Sequence, residues 1–386
     1  MKSVITHFLF FNLFLIVSSP VFARELKVCT SGCAFSSIQE AVNAAFKGDT
    51  ILVNIEGTFT ENNITISKDL VVRGLGQAVT ILQAHPERGQ SQHRLFYITG
   101  GARVIIEYLT IQHGVEKADP TPWKGNGGGI LIDGSNSSLT LNYVTLKHCD
   151  TQLTGSSGGA IALLGSSTSL SINNSLFDNN IANNGSGGGI YLASNGGDCF
   201  TRNTGFDNNV AANGSGGAVY MEGSGSSTFI SSSFTGNQSL NQHNGGALFI
   251  TGSVPTFNNC LFLRNSAEKD GGALKIDGAD IANCTFYFNT AINGGAISQD
   301  AGHENTELFL SNCTLLNNAA TGFGSSGAGL HTSSPAAQVY MINTVIDKST
   351  SGADLYLFAA SSLTTNEKNH VGKASFTNGS AHFGTN

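Results

Sequence analysis

The stretch "SGGAVYMEGS" at residues 215–224 recurs as "SGGAIALLG" at 157–165, "SGGGIYLAS" at 186–194, "NGGALFITG" at 244–252 and "DGGALKIDG" at 270–278. Its first glycine returns at Gly127, Gly158, Gly187, Gly216, Gly245, Gly271, Gly294 and, in a weaker copy, Gly327, with steps of 31, 29, 29, 29, 26, 23 and 33 residues. A second motif keeps pace with it: "FDNN" at Phe177 and Phe206, "FTGN" at Phe234, "FLRN" at Phe262 and "FYFN" at Phe286, with Leu146, Leu315 and Ile346 in the same slot of other copies. Two landmarks that advance together over eight copies define an internal repeat of 23–33 residues, and an internal repeat decides the fold.

Each unit carries three short alternating runs, such as Val219–Tyr220–Met221, Thr228–Phe229–Ile230 and Ser232–Ser233–Phe234. Runs with period two and this length are strands, not helices. Gly and Asn clusters separate them, and these residues accept the positive φ of tight corners. Three short strands per unit, coil upon coil, predict an all-β, right-handed, three-sided parallel β-helix. Inward residues then stack as ladders, one rung per coil at roughly 4.8 Å. Ile161, Ile190, Val219, Leu248, Leu274 and Ile297 form one expected ladder, and the Phe slot forms another. Two residues before that slot stand Ser175, Thr204, Ser232, Cys260, Cys284 and Cys313, small side chains expected to stack in the core. Three residues after it stand Asn180, Asn209, Asn237, Asn265, Asn289 and Asn318, whose amides are expected to bond up and down the stack at a bend.

The ends of such a solenoid need covering. "SIQEAVNAAF" at 37–46 reads as an N-terminal capping helix, with Ser37 and Glu40 as its capping box and Ile38, Ala41, Val42, Ala45 and Phe46 on its apolar face. The β-helix is placed at 24–350, with the motif-bearing repeats at 125–350 and a cap or tail at 351–386. Residues 1–23 begin with Lys2, continue with an apolar run at 8–17 and end with Val21 and Ala23, the pattern of an export signal cleaved after Ala23. No later stretch is long and apolar enough to span a bilayer.

Charged residues make up 12% of the chain and the net charge is −7, which argues against a basic face for nucleic acid. Of the seven cysteines, Cys29 and Cys33 are close enough for a local disulfide. Cys260, Cys284 and Cys313 read as buried packing, with disulfides between adjacent rungs left open. No spacing of Cys and His resembles a zinc site, and no cofactor is expected. Asn63, Asn184 and Asn237 open Asn-x-Ser/Thr acceptor sequences.

The joint "GGA[ILV]" and "FxxN" motifs, clearest at Gly158, Gly216, Gly245, Gly271 and Gly294 and at Phe177, Phe206, Phe234, Phe262 and Phe286, resemble the repeat of the chlamydial polymorphic outer membrane proteins. The resemblance covers roughly residues 125–350 and implies a β-helical passenger region at a bacterial surface. "SSIQEAVNAAFKGDTILV" looks like the opening of pectin-lyase-like β-helices, in support of the same fold. Members of the resembled family end in an outer-membrane barrel, but this sequence ends "SFTNGSAHFGTN" without a barrel-like series of strands. A secreted or surface-associated protein is therefore expected.

Two sets of residues carry the functional readings. In the strand after the glycines the middle residue points outward, and it reads Ala162, Tyr191, Tyr220, Phe249, Lys275. An exposed aromatic ladder ending in a lysine fits adhesin-like binding of a polysaccharide or a cell-surface protein, or else stabilises the sheet. Asp178 and Asp207 follow the Phe slot on adjacent coils, and a carboxylate pair at that spacing fits a glycoside hydrolase or polysaccharide lyase. Against catalysis, no Arg or Lys is evident nearby and the histidines share no repeat position. Asp133, Glu222 and Asp277 form a second acidic set on non-adjacent coils. A non-catalytic binding protein is the leading reading and the enzyme the alternative.

Overall fold

A computed structural model describes residues 23–117, 125–193, 197–223, 225–300, 307–322, 326–358, 361–365 and 368–376. The expected export signal, up to residue 22, and the last ten residues lie outside them. The alternating runs become strands that pair in parallel with their counterparts one coil away. They assemble into sheets of 23, 12 and 7 strands, so the chain is a parallel β-helix. The 12-stranded sheet, here the glycine-strand sheet, takes one strand per coil from Ile64–Ile66 to Ala374–Phe376. The largest sheet takes two strands from each repeat, such as Ser227–Ile230 and Ser233–Thr235. The smallest holds two-residue strands such as Gln238–Ser239, a fourth element per unit that the reading of three runs missed. A two-residue strand is too short for alternation to show.

The register matches the sequence ladders rung for rung. Ile161, Ile190, Val219, Leu248, Leu274 and Ile297 are consecutive partners. Phe177, Phe206, Phe234, Phe262 and Phe286 stack with ring centroids 4.4–5.0 Å apart. All of these side chains are buried. Cys260, Cys284 and Cys313 lie in the core as free thiols. Burial pushes Cys149 and Cys199 up to about 12 and Cys313 up to about 11, so these thiols stay protonated and inert at neutral pH. Cys29 and Cys33 are joined by a disulfide.

The asparagine ladder forms at the bend after the Phe slot. Asn237 donates through Nδ2 to the carbonyl of Phe206 at 2.8 Å and to Asn265 Oδ1 at 3.0 Å. Its own Oδ1 accepts from the backbone N–H and the Nδ2 of Asn209, both at 3.0 Å. Asn237 is fully buried, so its acceptor sequence is closed to glycosylation. Between the paired strands of the largest sheet, Asn174, Asn203, Ser231, Asn259, Asn283 and Asn312 all take positive φ. The stack forces Tyr108 and Tyr143 into the same conformation, which bulky residues avoid, and their exposed rings stack at 5.2 Å.

The helix Ile38–Ala44 covers the N-terminal end with Ile38, Ala41 and Val42 buried. Its cap differs from the expected box. Ser37 Oγ accepts from the N–H of Glu40 at 3.3 Å, but the reciprocal carboxylate belongs to Glu61 on a neighbouring coil. Glu61 accepts from the N–H groups of Ile38 at 2.7 Å and Gln39 at 2.9 Å. Glu61 takes this role because it is fixed on a rung facing the helix N-terminus, where a carboxylate is favoured. Phe46 is 61% exposed rather than buried, and the Arg24 guanidinium lies over its ring.

The β-helix continues beyond residue 350, where the motif ends. Ala353–Leu357 pairs with Gly327–Thr332, Ser362–Thr365 with Gln338–Ile342, and Ala374–Phe376 with Ala353–Leu357. Alternation suffices for pairing once a template strand is in place, so the coil outlasts its motif. Among the described residues no helix is long and apolar enough to cross a membrane.

Candidate functional site

The inward residues of the glycine-strand sheet are the hydrophobic ladder, so its middle residues face away from the core. Between Thr65 at the first strand and Ser375 at the last they read Tyr97, Leu131, Ala162, Tyr191, Tyr220, Phe249, Lys275, Ser298, His331 and Tyr356. This column is recessed. Leu131, Ala162, Lys275, Ser298, His331 and Tyr356 are buried, and Tyr97, Tyr191, Tyr220 and Phe249 are half-buried. The outward column of the largest sheet differs: Thr228 is half-buried and Thr256, Asp280 and Phe309 are exposed. Leu131, Ala162 and Leu164 form a small apolar cluster separate from the main core, with Tyr97 and Tyr191 packed against it.

The aromatic rungs are arranged differently from the exposed ladder expected of them. Tyr191 and Tyr220 stack with centroids 5.3 Å apart, and Tyr220 and Phe249 at 5.1 Å. Ring faces inside the stack are therefore occupied by neighbouring rings. The stack presents ring edges and phenolic hydroxyls outward rather than ring faces. Tyr220 donates its hydroxyl to Glu222 Oε2 at 2.9 Å, and burial, reinforced by this bond, pushes its phenol upward.

Lys275 does not end the ladder as an exposed cation. It is 5% exposed, and Nζ lies 3.2 Å from Ser298 Oγ and 3.4 Å from Asp300 Oδ2. At the other end of the column the Tyr97 hydroxyl donates to Asp133, and the Arg94 guanidinium lies near the Tyr97 ring. Asp277 accepts from the N–H of Gly252 at 2.9 Å, so the second acidic set is spent on local bonds rather than gathered into a site.

Asp178 and Asp207 are direct partners on adjacent rungs. Their surroundings correct two expectations, that no Arg or Lys stands nearby and that the histidines share no repeat position. Lys147 is the next rung of the same column, paired with Asp178. His113 and His148 occupy one repeat position, both with positive φ, and their rings stack at 5.9 Å. Arg88 bridges Asp150 at 2.6 Å and donates to the carbonyl of Asn179 at 2.9 Å. Lys147 was legible in the sequence, because it follows Leu146 as Asp178 follows Phe177; Arg88 was not, because it lies outside the motif-bearing units, and the His column starts at His113, ahead of them.

Burial, reinforced by the charge of Asp178, holds the Asp207 carboxyl above the usual range. Burial, reinforced by Arg88, pushes the His148 imidazole down. Asp178 accepts from Asn179 Nδ2 at 2.6 Å. Among the described residues no group of three or more His, Cys, Asp or Glu is placed to hold a metal ion.

No family model and no curated protein matches the chain. Among solved structures it is similar to the ORF18 protein of Geobacillus virus E2, at 13% identity and a TM-score of 0.49, over 82% of this chain and 61% of that one. It is similar to the catalytic unit of a thermostable GH87 alpha-1,3-glucanase from Streptomyces thermodiastaticus strain HF3-3, at 12% identity and a TM-score of 0.47, over 92% and 70%. It is also similar to the PL6 family alginate lyase AlyGC, at 15% identity and a TM-score of 0.41, over 92% and 53%. The chain thus spans less than two thirds of the viral protein and about half of the lyase. These are likenesses of chain path and assign no chemistry to this protein.

Proposed function

We propose that the chain is an exported β-helix that binds polysaccharide lengthwise along the outer face of the glycine-strand sheet. The observation that carries this reading is the recessed outward column, where rings, hydroxyls and charged groups succeed one another coil by coil. A polymer of like units would meet the three half-buried aromatic rungs Tyr191, Tyr220 and Phe249 at the regular spacing of consecutive coils. Aromatic edges and phenolic hydroxyls beside carboxylates suit the mixed apolar and hydroxyl surface of a sugar chain. Placement at a bacterial surface, with adhesin-like attachment, is part of the proposal and rests on the repeat resemblance.

The test is polysaccharide binding by the chain from Arg24 onward, before and after Tyr191→Ser, Tyr220→Ser and Phe249→Ser together. The expected result is at least a tenfold loss of affinity with the β-sheet circular dichroism retained. Unchanged affinity would assign the rings to sheet stability alone.

A second reading is favoured by the surroundings of Asp178 and Asp207. Adjacent rungs at roughly 4.8 Å approach the separation of about 5–5.5 Å used by retaining glycosidases. In this reading Asp207, with its raised pKa, protonates the leaving oxygen. Asp178 attacks the anomeric carbon as its bond to the leaving oxygen breaks, water then hydrolyses the glycosyl-enzyme with Asp207 as the base, and Lys147 and His148 orient the sugar. Asp207 must hold its proton, so activity is expected to fall as pH rises through its elevated pKa. Asp178→Asn and Asp207→Asn are each expected to lower reducing-end release from a polysaccharide panel by roughly 10²–10⁴-fold. Equal release by the variants, or none by the native chain, sinks this reading and leaves the binding proposal standing.

A further inference from the structure

The Asp49 side chain is only 1% exposed. Among the described residues four N–H groups reach it, and three belong to Arg24. The main-chain nitrogen of Arg24 donates to Oδ1 at 2.8 Å, and its Nε and Nη2 donate to Oδ2 at 3.1 and 2.7 Å. The fourth donor is the N–H of Phe46, at 2.8 Å. Arg24 also reaches the carbonyl of Ala44 through Nη2 at 3.2 Å, and its own carbonyl accepts from the N–H of Thr50 at 2.8 Å. Residue 24 thus ties together the end of the capping helix and the strands Glu25–Val28 and Thr50–Val53.

Burial pushes the Asp49 carboxyl up, but the bonds from Arg24 and Phe46 outweigh it and hold it below the usual range. It is therefore a closed, charged carboxylate. The main-chain nitrogen that faces it is an uncharged amide as long as Ala23 precedes it. Hydrolysis of the Ala23–Arg24 bond changes that. The oxygen of one water goes to the Ala23 carbonyl carbon, and the Arg24 nitrogen leaves as an amine. That amine takes a proton at neutral pH, because α-amino groups titrate near about 8. A charge-assisted bond is roughly twice as strong as a neutral one. The added positive charge also stands at the carbonyl end of the helix Ile38–Ala44, where a cation is favoured.

Resting on the export part of the proposed function and independent of glycan binding, we propose that the Ala23–Arg24 bond is the processing site and that the new α-ammonium of Arg24 pairs with Asp49, so that removal of the export signal itself fastens the N-terminal cap. The first strand gains most from this. Among the described residues Glu25–Val28 pairs along one side only, with Thr50–Val53, apart from a single bridge between Val28 and Phe35. A terminal strand held on one side frays unless its end is tied down.

The test has two arms. In the first, the full chain is exported from a bacterial host and the N-terminus of the product is sequenced. In the second, hydrogen–deuterium exchange at neutral pH compares the chain from Arg24 onward with one that retains Val21–Phe22–Ala23. The product is expected to begin at Arg24. Glu25–Val28 and Ile38–Ala44 are expected to exchange about fivefold more slowly in the chain from Arg24 than in the extended chain. Asp49→Asn in both chains is expected to close that difference, and Glu25→Gln, at the neighbouring exposed carboxylate, to leave it in place. A product that keeps the export signal overturns the export reading and this proposal together. A product cut at another bond overturns this proposal and keeps export. Equal exchange in the two native-sequence chains overturns the ion pair without any substitution. A difference that survives Asp49→Asn, or closes with Glu25→Gln, overturns Asp49 as its partner.

Discussion

Gly217→Ala is expected to cost roughly 4 kcal/mol or more, the range reserved for substitutions that force the backbone apart. A Cβ on Gly217 would stand 2.2 Å from the carbonyl oxygen of Gly246 and 2.5 Å from that of Gln238. Both are backbone atoms of the following coil, held in place by the parallel ladders, so no side chain can rotate away. The same second glycine at Gly188 and Gly246 meets the next coil's carbonyl at 2.4 and 2.1 Å. The second glycine of the motif is therefore a spacing residue, needed for the coils to approach. The first, Gly216, has φ +70 and turns the chain into the strand.

Urea unfolding followed by circular dichroism checks this, with Gly57→Ala as the control. Gly57, like Gly216 and unlike Gly217, has positive φ, but its added Cβ meets nothing within 4 Å, so the cost there is conformational alone, about 1–2 kcal/mol. A loss at Gly217 no larger than at Gly57 would mean that the coils part at little cost and that the second glycine is not a spacing residue.

Asn237→Ala is expected to cost roughly 3–5 kcal/mol through polar groups left buried without partners. The substitution strands the carbonyl of Phe206 and the backbone N–H of Asn209, and it cuts the chain of amides between Asn209 and Asn265. Water cannot replace these bonds, because the whole ladder from Asn180 to Asn318 is at most 1% exposed. Asn213→Ala is the control. Its Nδ2 donates to the carbonyl of Asn183 at 2.7 Å in an exposed setting, where solvent substitutes and less than about 1 kcal/mol is expected. Similar thermal shifts for the two variants would mean that the amide ladder is not a source of stability.

The candidate site was legible only in part. Tyr191, Tyr220 and Phe249 could be placed on one outward column because register follows from the repeat period. Their stacking was legible only as the alternative to an exposed ladder, because ring orientation depends on rotamers selected by the rungs above and below. Lys275 shared their sequence position yet turned out buried, since Ser298 and Asp300 on the following coil bind its ammonium. Asp178 and Asp207 were readable as neighbours for the same reason of period. Arg88 was not, because it comes from a segment without the repeat and joins this face by pairing with Asp150, 62 residues later.

What the sequence determined is everything that repeats. Period two fixes which side chains face inward. The 23–33 residue step fixes which of them stack, and Gly, Asn and Phe at constant phase fix the corners and the core. A repeated local choice is self-consistent along the axis, so its outcome follows from one unit. What only the tertiary structure decided is everything that occurs once. Glu61 rather than Glu40 completes the helix cap, Phe46 is exposed, Lys275 is covered and His331 keeps an unbonded nitrogen. Each depends on which groups from other coils arrive beside it, and no local period encodes that.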